Sequence, residues 1–243
     1  MIKNALTTFK PSVQMITKDK VNFLLASFPM MVGAALYYFA GRWAYSEFTT
    51  EGNRLIESHI SEGVMGSLVY WIISIILTIV LYFLINYTFV LIVSLISSPF
   101  NDLLSARIEK KLKGENNFTM SESLSFISGK LISVLLNESK KIVVIVVLSG
   151  LAFLLSFFPI LAPVSIFLNT LILAAGFVDY TWSRKNLTSS ACFKDLRGNF
   201  LGYSLSGGFF LALVAIPFVA IIVPPLATSY YTIYWIKNHE YSA

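Results

Sequence analysis

The chain has very few residues of the kinds that build disulfides and metal sites. Its 243 residues include one cysteine, Cys192, and two histidines, His59 and His239. A single cysteine excludes an internal disulfide and a thiolate metal cluster, and the two histidines lack the spacing of metal ligands. We therefore expect the protein to work without a bound metal or another cofactor.

Charge is also scarce. Charged residues make up 13% of the chain and hydrophobic residues 56%, and the mean hydropathy is +0.72. A soluble domain of this length does not bury so much apolar surface, so the composition indicates an integral membrane protein of one domain, residues 1–243. Long apolar runs without alternating polarity predict an all-α fold.

The sequence lacks the common motifs of enzymes. It contains no HExxH segment, no glycine-rich phosphate loop with a lysine, and no plausible pair of nucleophile and base. The missing Walker motif means that the chain does not itself hydrolyse ATP. Membrane orientation accounts for its basic residues, so we expect neither an enzyme nor a nucleic-acid-binding protein.

The distribution of the basic residues predicts the orientation in the membrane. The net charge is +5, and the lysines and arginines concentrate before the first apolar run, after the second, between later apolar blocks and near the end. Only Arg42 and Arg54 lie in the remaining loop, residues 41–66. By the positive-inside rule this loop is outside and both termini are cytoplasmic.

Apolar blocks and polar breaks divide the chain into eight segments. In order, these are an interfacial helix (1–20), a first span (21–40), an outer loop (41–66), a second span (67–97), cytoplasmic helices (98–140), a first hairpin (142–178), a cytoplasmic segment (181–202) and a second hairpin (203–236). The second span is about 45 Å long as a helix, which exceeds the hydrocarbon thickness. Within it, Asn86 is a candidate for an ion pathway, and a helix–helix hydrogen bond is the alternative.

Both hairpins turn at uncharged, proline-bearing breaks, Phe158–Pro163 and Ile216–Pro225. One explanation is a pair of full crossings joined by a tight outer turn. The other is a re-entrant hairpin that enters from the cytoplasm, turns within the membrane and leaves by the same face. The uncharged turns favour re-entry, as do apolar blocks of about 14–17 residues, which are short for a full crossing.

A new helix is expected to begin at Pro99, directly after the second span. Ser98 or Asn101 can cap it, and proline suits a first helical turn because its missing N–H loses nothing there. Free N–H groups at a helix start form an anion-binding geometry, although an ordinary capped helix start is the simpler interpretation.

The segment Pro99–Glu109 resembles Pro-Phe-Asn-Gly-Leu-Leu-Ala-Glu-Lys-Val-Glu of the CysZ sulfate permeases, in the etoposide-induced membrane-protein family. A second similarity is Phe177–Tyr180, followed by a polar segment and a glycine-rich apolar stretch. The order of apolar blocks agrees over nearly the whole chain. The resemblance implies two true spans, two hemi-penetrating hairpins and a homo-oligomer, a dimer or larger, in the bacterial inner membrane.

The resemblance also implies a function, the ATP-independent uptake of sulfate or sulfite for cysteine biosynthesis. A sulfate would then bind the helix-start N–H groups from Ser98 to Leu103, with Asn101 and Asp102 among them and Arg107 as the counter-charge. Lys18 and Lys20 are a rough counterpart of the paired arginines of the family. The alternatives are a non-transporting scaffold or lipid-interacting protein of the same family and an anion channel of broader selectivity.

One residue departs from the family pattern at this site. Asp102 stands where the family has glycine, so a carboxylate that repels sulfate replaces a residue that allows close backbone approach.

Overall fold

The computed structural model describes residues 2–57, 64–115, 119–216 and 219–240. Within these ranges the chain is helical apart from turns, which confirms the all-α prediction. The helices are α1 (Ile2–Thr17), α2 (Lys20–Leu36), a π-helical segment (Tyr37–Gly41), α3 (Arg42–Glu57), α4 (Val64–Leu112), α5 (Met120–Ser156), α6 (Ala162–Arg184), α7 (Ser189–Gly198), α8 (Phe200–Val214) and α9 (Val219–His239).

The helices divide into two compact units, one formed by residues 31–93 and the other by residues 1–30 and 94–243. The smaller unit holds the end of α2, the π-helical segment, α3 and the first part of α4. Its α3 helix covers much of the predicted outer loop and exposes Trp43, Tyr45 and Phe48. Exposed aromatic rings of this kind are typical of the membrane interface.

Helix α9 is the centre of the larger unit. Most of its residues from Val223 to Ile236 are buried, and it packs against α1, α6 and α8. Its tyrosines Tyr230, Tyr231 and Tyr234 form an aromatic core with Tyr203 and Phe210 of α8. Edge-to-face ring pairs add to the stabilisation that burial of these side chains supplies.

Two predicted helix boundaries are wrong. Helix α4 runs without a break through Pro99, which lies in its interior, and α5 runs from Met120 to Ser156 without ending near Lys140. Proline removes one backbone hydrogen bond and disfavours a helix interior, but buried neighbours can hold such a helix in place. Leu103, Leu104 and Ile108 of α4 are fully buried just beyond Pro99.

Two helix ends have capping motifs that short stretches of sequence determine. Thr119 and Glu122 form a capping box at the start of α5. After α4, Gly114 adopts a positive φ of 71°, and its N–H donates to the Lys111 carbonyl while the Glu115 N–H donates to the Lys110 carbonyl. These two bonds are a Schellman motif, which explains why a glycine follows this helix.

The two proline-bearing breaks have different outcomes. Helix α5 ends at Ser156 and α6 begins at Ala162, so the first break is confirmed. The second lies between Val214 and Val219 but does not extend to Pro224 and Pro225, which lie inside α9. The prediction that residues 219–225 belong to the turn is therefore wrong; Pro217 and Phe218 lie outside the described residues.

Among the described residues, three apolar helical segments are long enough to cross a membrane: Leu135–Ser156, Ala162–Arg184 and Val219–His239. They have 22, 23 and 21 residues, and about 20 are needed for a hydrocarbon core of about 30 Å. The apolar blocks of the first hairpin are thus longer than the sequence indicated. Large apolar side chains of α5, including Val143, Val147 and Leu151, are exposed. The protein is an integral membrane protein.

The contact between α6 and α8 predicts an asymmetry between two adjacent glycines. A Cβ at Gly207 would overlap the backbone carbonyl of Thr170, whereas a Cβ at Gly208 would lie 3.7 Å from the Thr170 methyl group, an ordinary contact. We expect Gly207→Ala to lower the free energy of unfolding by about 1–3 kcal/mol because backbone atoms must separate. Gly208→Ala is the matched control and should leave it unchanged or raise it by up to about 1 kcal/mol.

Thermal unfolding of the purified protein in detergent measures both variants. Equal melting temperatures for the two would contradict this close packing of α6 on α8.

Candidate functional site

A polar cavity of about 710 Å³ lies among α4, α5 and α6, in the larger unit. One face of α4 lines it with Ser98, Asp102, Ala106 and Glu109, and Lys113 follows directly after the helix. These residues recur every three or four positions and therefore share one side of the helix. Because α4 continues through Pro99, this face carries polar side chains from the buried Ser98 to the exposed end of the helix.

The charged side chains that line the cavity balance each other. Its basic residues are Lys110, Lys113, Lys141, Arg184 and Lys185. Its acidic residues are Asp102, Glu109, Glu115, Glu138 and Asp179. Five positive and five negative charges give a formal net charge of zero among the described lining residues, so the cavity is polar without a large potential of one sign.

Arg184, at the end of α6, connects the middle of the cavity to α4. Its Nη2 donates to the Ser105 hydroxyl at 2.7 Å and contacts Glu109 at 3.3 Å. Its Nη1 lies 3.4 Å from the carboxylate of Asp102. The Nε–H of Arg184 is buried and has no hydrogen-bond partner in the described part of the chain. The guanidinium group therefore retains donor capacity.

Glu109 is the centre of an ionic cluster at the end of the cavity next to the C-terminus of α4. Its carboxylate accepts from Lys185 at 2.6 Å and from Lys113 at 2.8 Å, and both lysines also contact Glu240. Burial of Glu109 opposes its ionisation, but the hydrogen bonds from Lys113 and Lys185 and the charge of Arg184 outweigh it and lower its pKa to about 2.

A half-buried ammonium group, that of Lys141, lies at the other end of the cavity. Lys141 contacts Glu138 at 2.6 Å and Asp179 at 3.7 Å, donates to the Gly176 carbonyl at 3.3 Å and lies 4.0 Å from the Tyr180 ring centroid. Asp179 therefore pairs with a lysine of α5 and not with a basic residue of its own helix end.

Ser98 also lines this part of the cavity. Its side chain is fully buried, and its hydroxyl makes no hydrogen bond of ordinary geometry with the described residues. A buried hydroxyl without a partner is uncommon in a folded protein and marks a place where a ligand or water can bind.

The structure brings together only some of the residues expected to bind an anion. Ser98 and Asp102 line the cavity, whereas Asn101 and Leu103 are buried. All four lie inside α4, so the expected helix-start N–H groups do not exist there. The reason is the continuity of α4, in which interior N–H groups donate to carbonyls one turn earlier.

Arg107, Lys18 and Lys20 lie outside the cavity lining. Arg107 is 3% exposed and donates from Nε to the Asn22 side chain at 2.8 Å. Lys18 and Lys20 are exposed. Asn86 lies in α4, and its side chain is outside the described set.

The start of α2 does have free N–H groups in an anion-binding geometry, but the side chain of Asp19 occupies them. The carboxylate of Asp19 accepts the backbone N–H groups of Val21 and Asn22 at 3.1 and 3.2 Å. Lys111 lies 3.1 Å and Arg107 3.4 Å from the same carboxylate. Lys18 and Lys20 therefore flank a helix start that an acidic side chain already occupies.

Sequence reasoning missed a buried carboxylate on α7. Asp195 accepts from the indole groups of Trp182 at 2.8 Å and Trp235 at 2.9 Å and from Tyr203 at 3.0 Å. It also contacts Asn199 and His239. Burial opposes ionisation of Asp195, but these donors outweigh it and lower its pKa. Its partners are spread over three helices, so no local pattern indicated the cluster.

The described residues include no cluster of histidine, cysteine and acidic side chains suited to a metal ion.

Comparison with known proteins assigns the chain to a family. Residues 9–225 match the family described as Sulfate transporter CysZ/Etoposide-induced protein 2.4. The chain belongs to this family. It is similar to a protein of Pseudomonas fluorescens named Sulfate transporter CysZ, with 25% identity over 180 residues that cover 71% of this chain and 69% of the relative. These relatives are named as transporters and not as enzymes.

Two further relatives carry the same name. One, from Pseudomonas paraeruginosa, is 25% identical over 183 residues, 72% of either chain. The other, from a second strain of Pseudomonas fluorescens, is 24% identical over 160 residues, 63% of this chain and 61% of the relative. The family is therefore shown over most of the chain, while the shared identity is low.

The ionic cluster around Glu109 predicts a pH dependence of stability. Glu109 stays ionised in the folded protein down to a pKa of about 2, whereas the ordinary value is 4.5. The unfolded chain therefore binds the proton first, and the stability that Glu109 contributes is complete above about pH 5 and lost as the pH falls toward 2. We expect Glu109→Gln to cost on the order of 2 kcal/mol at pH 7, less than the full shift implies because the cluster borders solvent.

Melting temperatures of wild type and Glu109→Gln from pH 7 to pH 2 check this expectation. Their difference should be constant above pH 5 and shrink below it. Glu51→Gln, in an exposed pair with Arg54, is the control and should show no such change. A difference for Glu109→Gln that is independent of pH would contradict the assigned ion pairs.

Proposed function

We propose that this protein transports sulfate across the membrane without hydrolysing ATP. The observation that carries the proposal is the cavity among α4, α5 and α6, in a chain whose family includes proteins named sulfate transporters. Uptake of sulfate, or of the related sulfite, would supply the sulfur for cysteine biosynthesis.

The chemistry of the cavity supports an oxyanion as its ligand. Arg184 offers a buried Nε–H that has no partner among the described residues, and the buried Ser98 hydroxyl lies in the lining of the same cavity. The planar guanidinium group matches the geometry of tetrahedral oxyanions, to which it can donate two parallel hydrogen bonds. Lys141 adds a further positive charge at the other end of the cavity. Because the positive and negative charges of the lining balance, a bound anion is not held too tightly to be released, and transport requires release as well as binding.

We also propose that both hairpins are re-entrant and that both termini are on the cytoplasmic side of the bacterial inner membrane. The turn of the first hairpin supports this topology. Its side chains Phe157, Phe158 and Ile160 are 67%, 61% and 90% exposed and are all apolar. Such a turn is costly in water but suits a hydrocarbon environment.

The backbone of this turn also suits a hydrocarbon environment. The N–H groups of Phe157, Phe158, Leu161 and Ala162 all donate to carbonyls within the turn and the preceding helix. Pro159 and Pro163 have no N–H group to satisfy. Backbone groups must be satisfied internally inside a bilayer, and this turn satisfies most of its donors.

Cysteine labelling tests the topology. In a Cys192→Ser background, Ile160→Cys places a thiol on the most exposed side chain of the turn. We expect an impermeant maleimide to leave it unmodified when added from outside intact cells, while Trp43→Cys in the outer loop is modified. Modification of both positions would show that the turn surfaces externally and would overturn the re-entrant topology.

Flux measurements test the function. Purified protein in vesicles, without other proteins or ATP, should take up radioactive sulfate with saturable kinetics, and sulfite or selenate should compete. Protein-free vesicles are the control. Absence of flux would favour a scaffold or lipid-interacting protein and overturn the proposal. Comparable flux of chloride, nitrate and sulfate would favour an anion channel of broad selectivity.

A further inference from the structure

The guanidinium group of Arg184 spends its Nη donors on this chain. Nη1 donates to the backbone carbonyl and to the carboxylate of Asp102, both at 3.4 Å. Nη2 donates to the Ser105 hydroxyl at 2.7 Å and to the Glu109 carboxylate at 3.3 Å. The remaining donor, the Nε–H, has no partner among the described residues. The rotation of the guanidinium group therefore decides where the donor for an anion points.

The contact with Ser105 fixes this rotation more firmly than the others do. At 2.7 Å it is the shortest of the four, whereas the contacts with Asp102 and Glu109, at 3.4 and 3.3 Å, exceed the usual length of about 2.7–2.9 Å for charge-assisted hydrogen bonds. Ser105 is also fully buried, so water does not compete for its hydroxyl group.

A chain of hydroxyl groups continues behind Ser105, and its direction follows from the donors. A guanidinium group can only donate, so Ser105 accepts from Arg184 and keeps its own proton for another acceptor. The Ser105 hydroxyl lies 2.5 Å from the hydroxyl of Thr232 in α9. Thr232 donates its proton to the backbone carbonyl of Thr228 at 2.8 Å, so it accepts from Ser105. The chain thus runs from Arg184 through Ser105 and Thr232 to the backbone of α9.

A ligand in the cavity does not touch these hydroxyl groups. Ser105 and Thr232 are both fully buried, and neither is among the described residues that line the cavity. Hydrogen bonds in such a chain polarise one another, and the low dielectric of the interior strengthens them. An effect of Ser105 or Thr232 on anion binding therefore acts through Arg184.

We propose that Ser105 and Thr232 are positioning residues, which hold the guanidinium group of Arg184 in the rotation that turns its Nε–H toward a bound oxyanion. This inference rests on the proposed function and deepens it, because it names the side chains behind the cavity wall that orient the anion donor.

Thr228 offers a matched control for a test. It lies one turn before Thr232 on α9 and is equally buried. Its hydroxyl has no hydrogen-bond partner among the described residues, and only its backbone carbonyl takes part in the chain. Thr228→Val therefore removes a buried hydroxyl group, with little change of shape, and leaves the chain intact.

Calorimetric titration of sulfate into the purified full chain in detergent tests the inference. We expect Thr232→Val to weaken sulfate binding about fivefold and Ser105→Ala about tenfold, which is the size of one net hydrogen bond. Thr232→Ser keeps the hydroxyl and loses the methyl group, so it should bind within about twofold of wild type, as should Thr228→Val. Weak binding by Thr232→Ser with normal binding by Thr232→Val would indicate a packing role and overturn the inference.

A double-mutant cycle shows whether the effect acts through Arg184. In Arg184→Lys the shorter side chain lacks Nη2 and its bond to Ser105, so adding Thr232→Val should weaken sulfate binding less than about twofold. An undiminished effect of Thr232→Val in this background would contradict the positioning role. Melting temperatures show whether each variant folds, and Ser105→Ala replaces Thr232→Val in the cycle if the latter does not.

The orientation of Arg184 can also be measured without a ligand. The chain has five arginines, so protein isotope-labelled on arginine alone gives few Nε–H signals in nuclear magnetic resonance spectra. The signal that disappears in Arg184→Lys belongs to Arg184. We expect this signal to shift in Thr232→Val and in Ser105→Ala and to stay in place in Thr228→Val.

The outcomes separate this inference from the proposed function. An unmoved Arg184 signal in folded Thr232→Val and Ser105→Ala would overturn the inference, even if vesicles show sulfate flux. If the signal moves as expected but wild type neither binds sulfate nor shows flux, Ser105 and Thr232 position Arg184 as inferred and the proposed function falls.

Discussion

The ion pairs of Arg184 with Asp102 and Glu109 hold the end of α6 against α4. A charged side chain that is buried without a partner costs several kcal/mol, so the partly buried charges of this protein are paired. The same rule explains why Lys141 is surrounded by acceptors. It also explains why the charges of the ten described charged side chains that line the cavity sum to zero.

This balance of charges affects both how tightly an anion binds and how fast it is released. A cavity with many unpaired cations would bind a divalent anion tightly and release it slowly. Here Lys113, Lys141, Arg184 and Lys185 each already have a carboxylate. An anion that binds one of them gains only the difference between its own contacts and those of the carboxylate it replaces. For the transport proposed above, such a small difference would favour release of the anion. At the start of α2, too, a carboxylate, that of Asp19, already accepts the free N–H groups.

Local signals in the sequence were sufficient for features that a few neighbouring residues determine. Thr119 with Glu122, the positive φ of Gly114 and the break before Pro163 all depend on short-range geometry. The continuation of α4 through Pro99 is instead supported by tertiary packing, because Leu104 and Ile108 are buried against Ile233. A contact between residues so far apart in sequence leaves no local pattern. Ser98 and Asp102 were identified as candidates from a local motif. Their partners, Arg184 among them, were not identified because they lie on other helices.

The carboxylate of Asp195 has a consequence for the order in which the protein is assembled during synthesis. Its donors come from Trp182 in α6, Tyr203 in α8 and Trp235 in α9, so its full set of bonds requires residue 235 to be available. Until α9 has been synthesised, Asp195 lacks the hydrogen bond from Trp235, and the earlier helices lack the aromatic side chains of α9. The packing of α6 and α8 around Asp195 is therefore complete only after α9 has been synthesised.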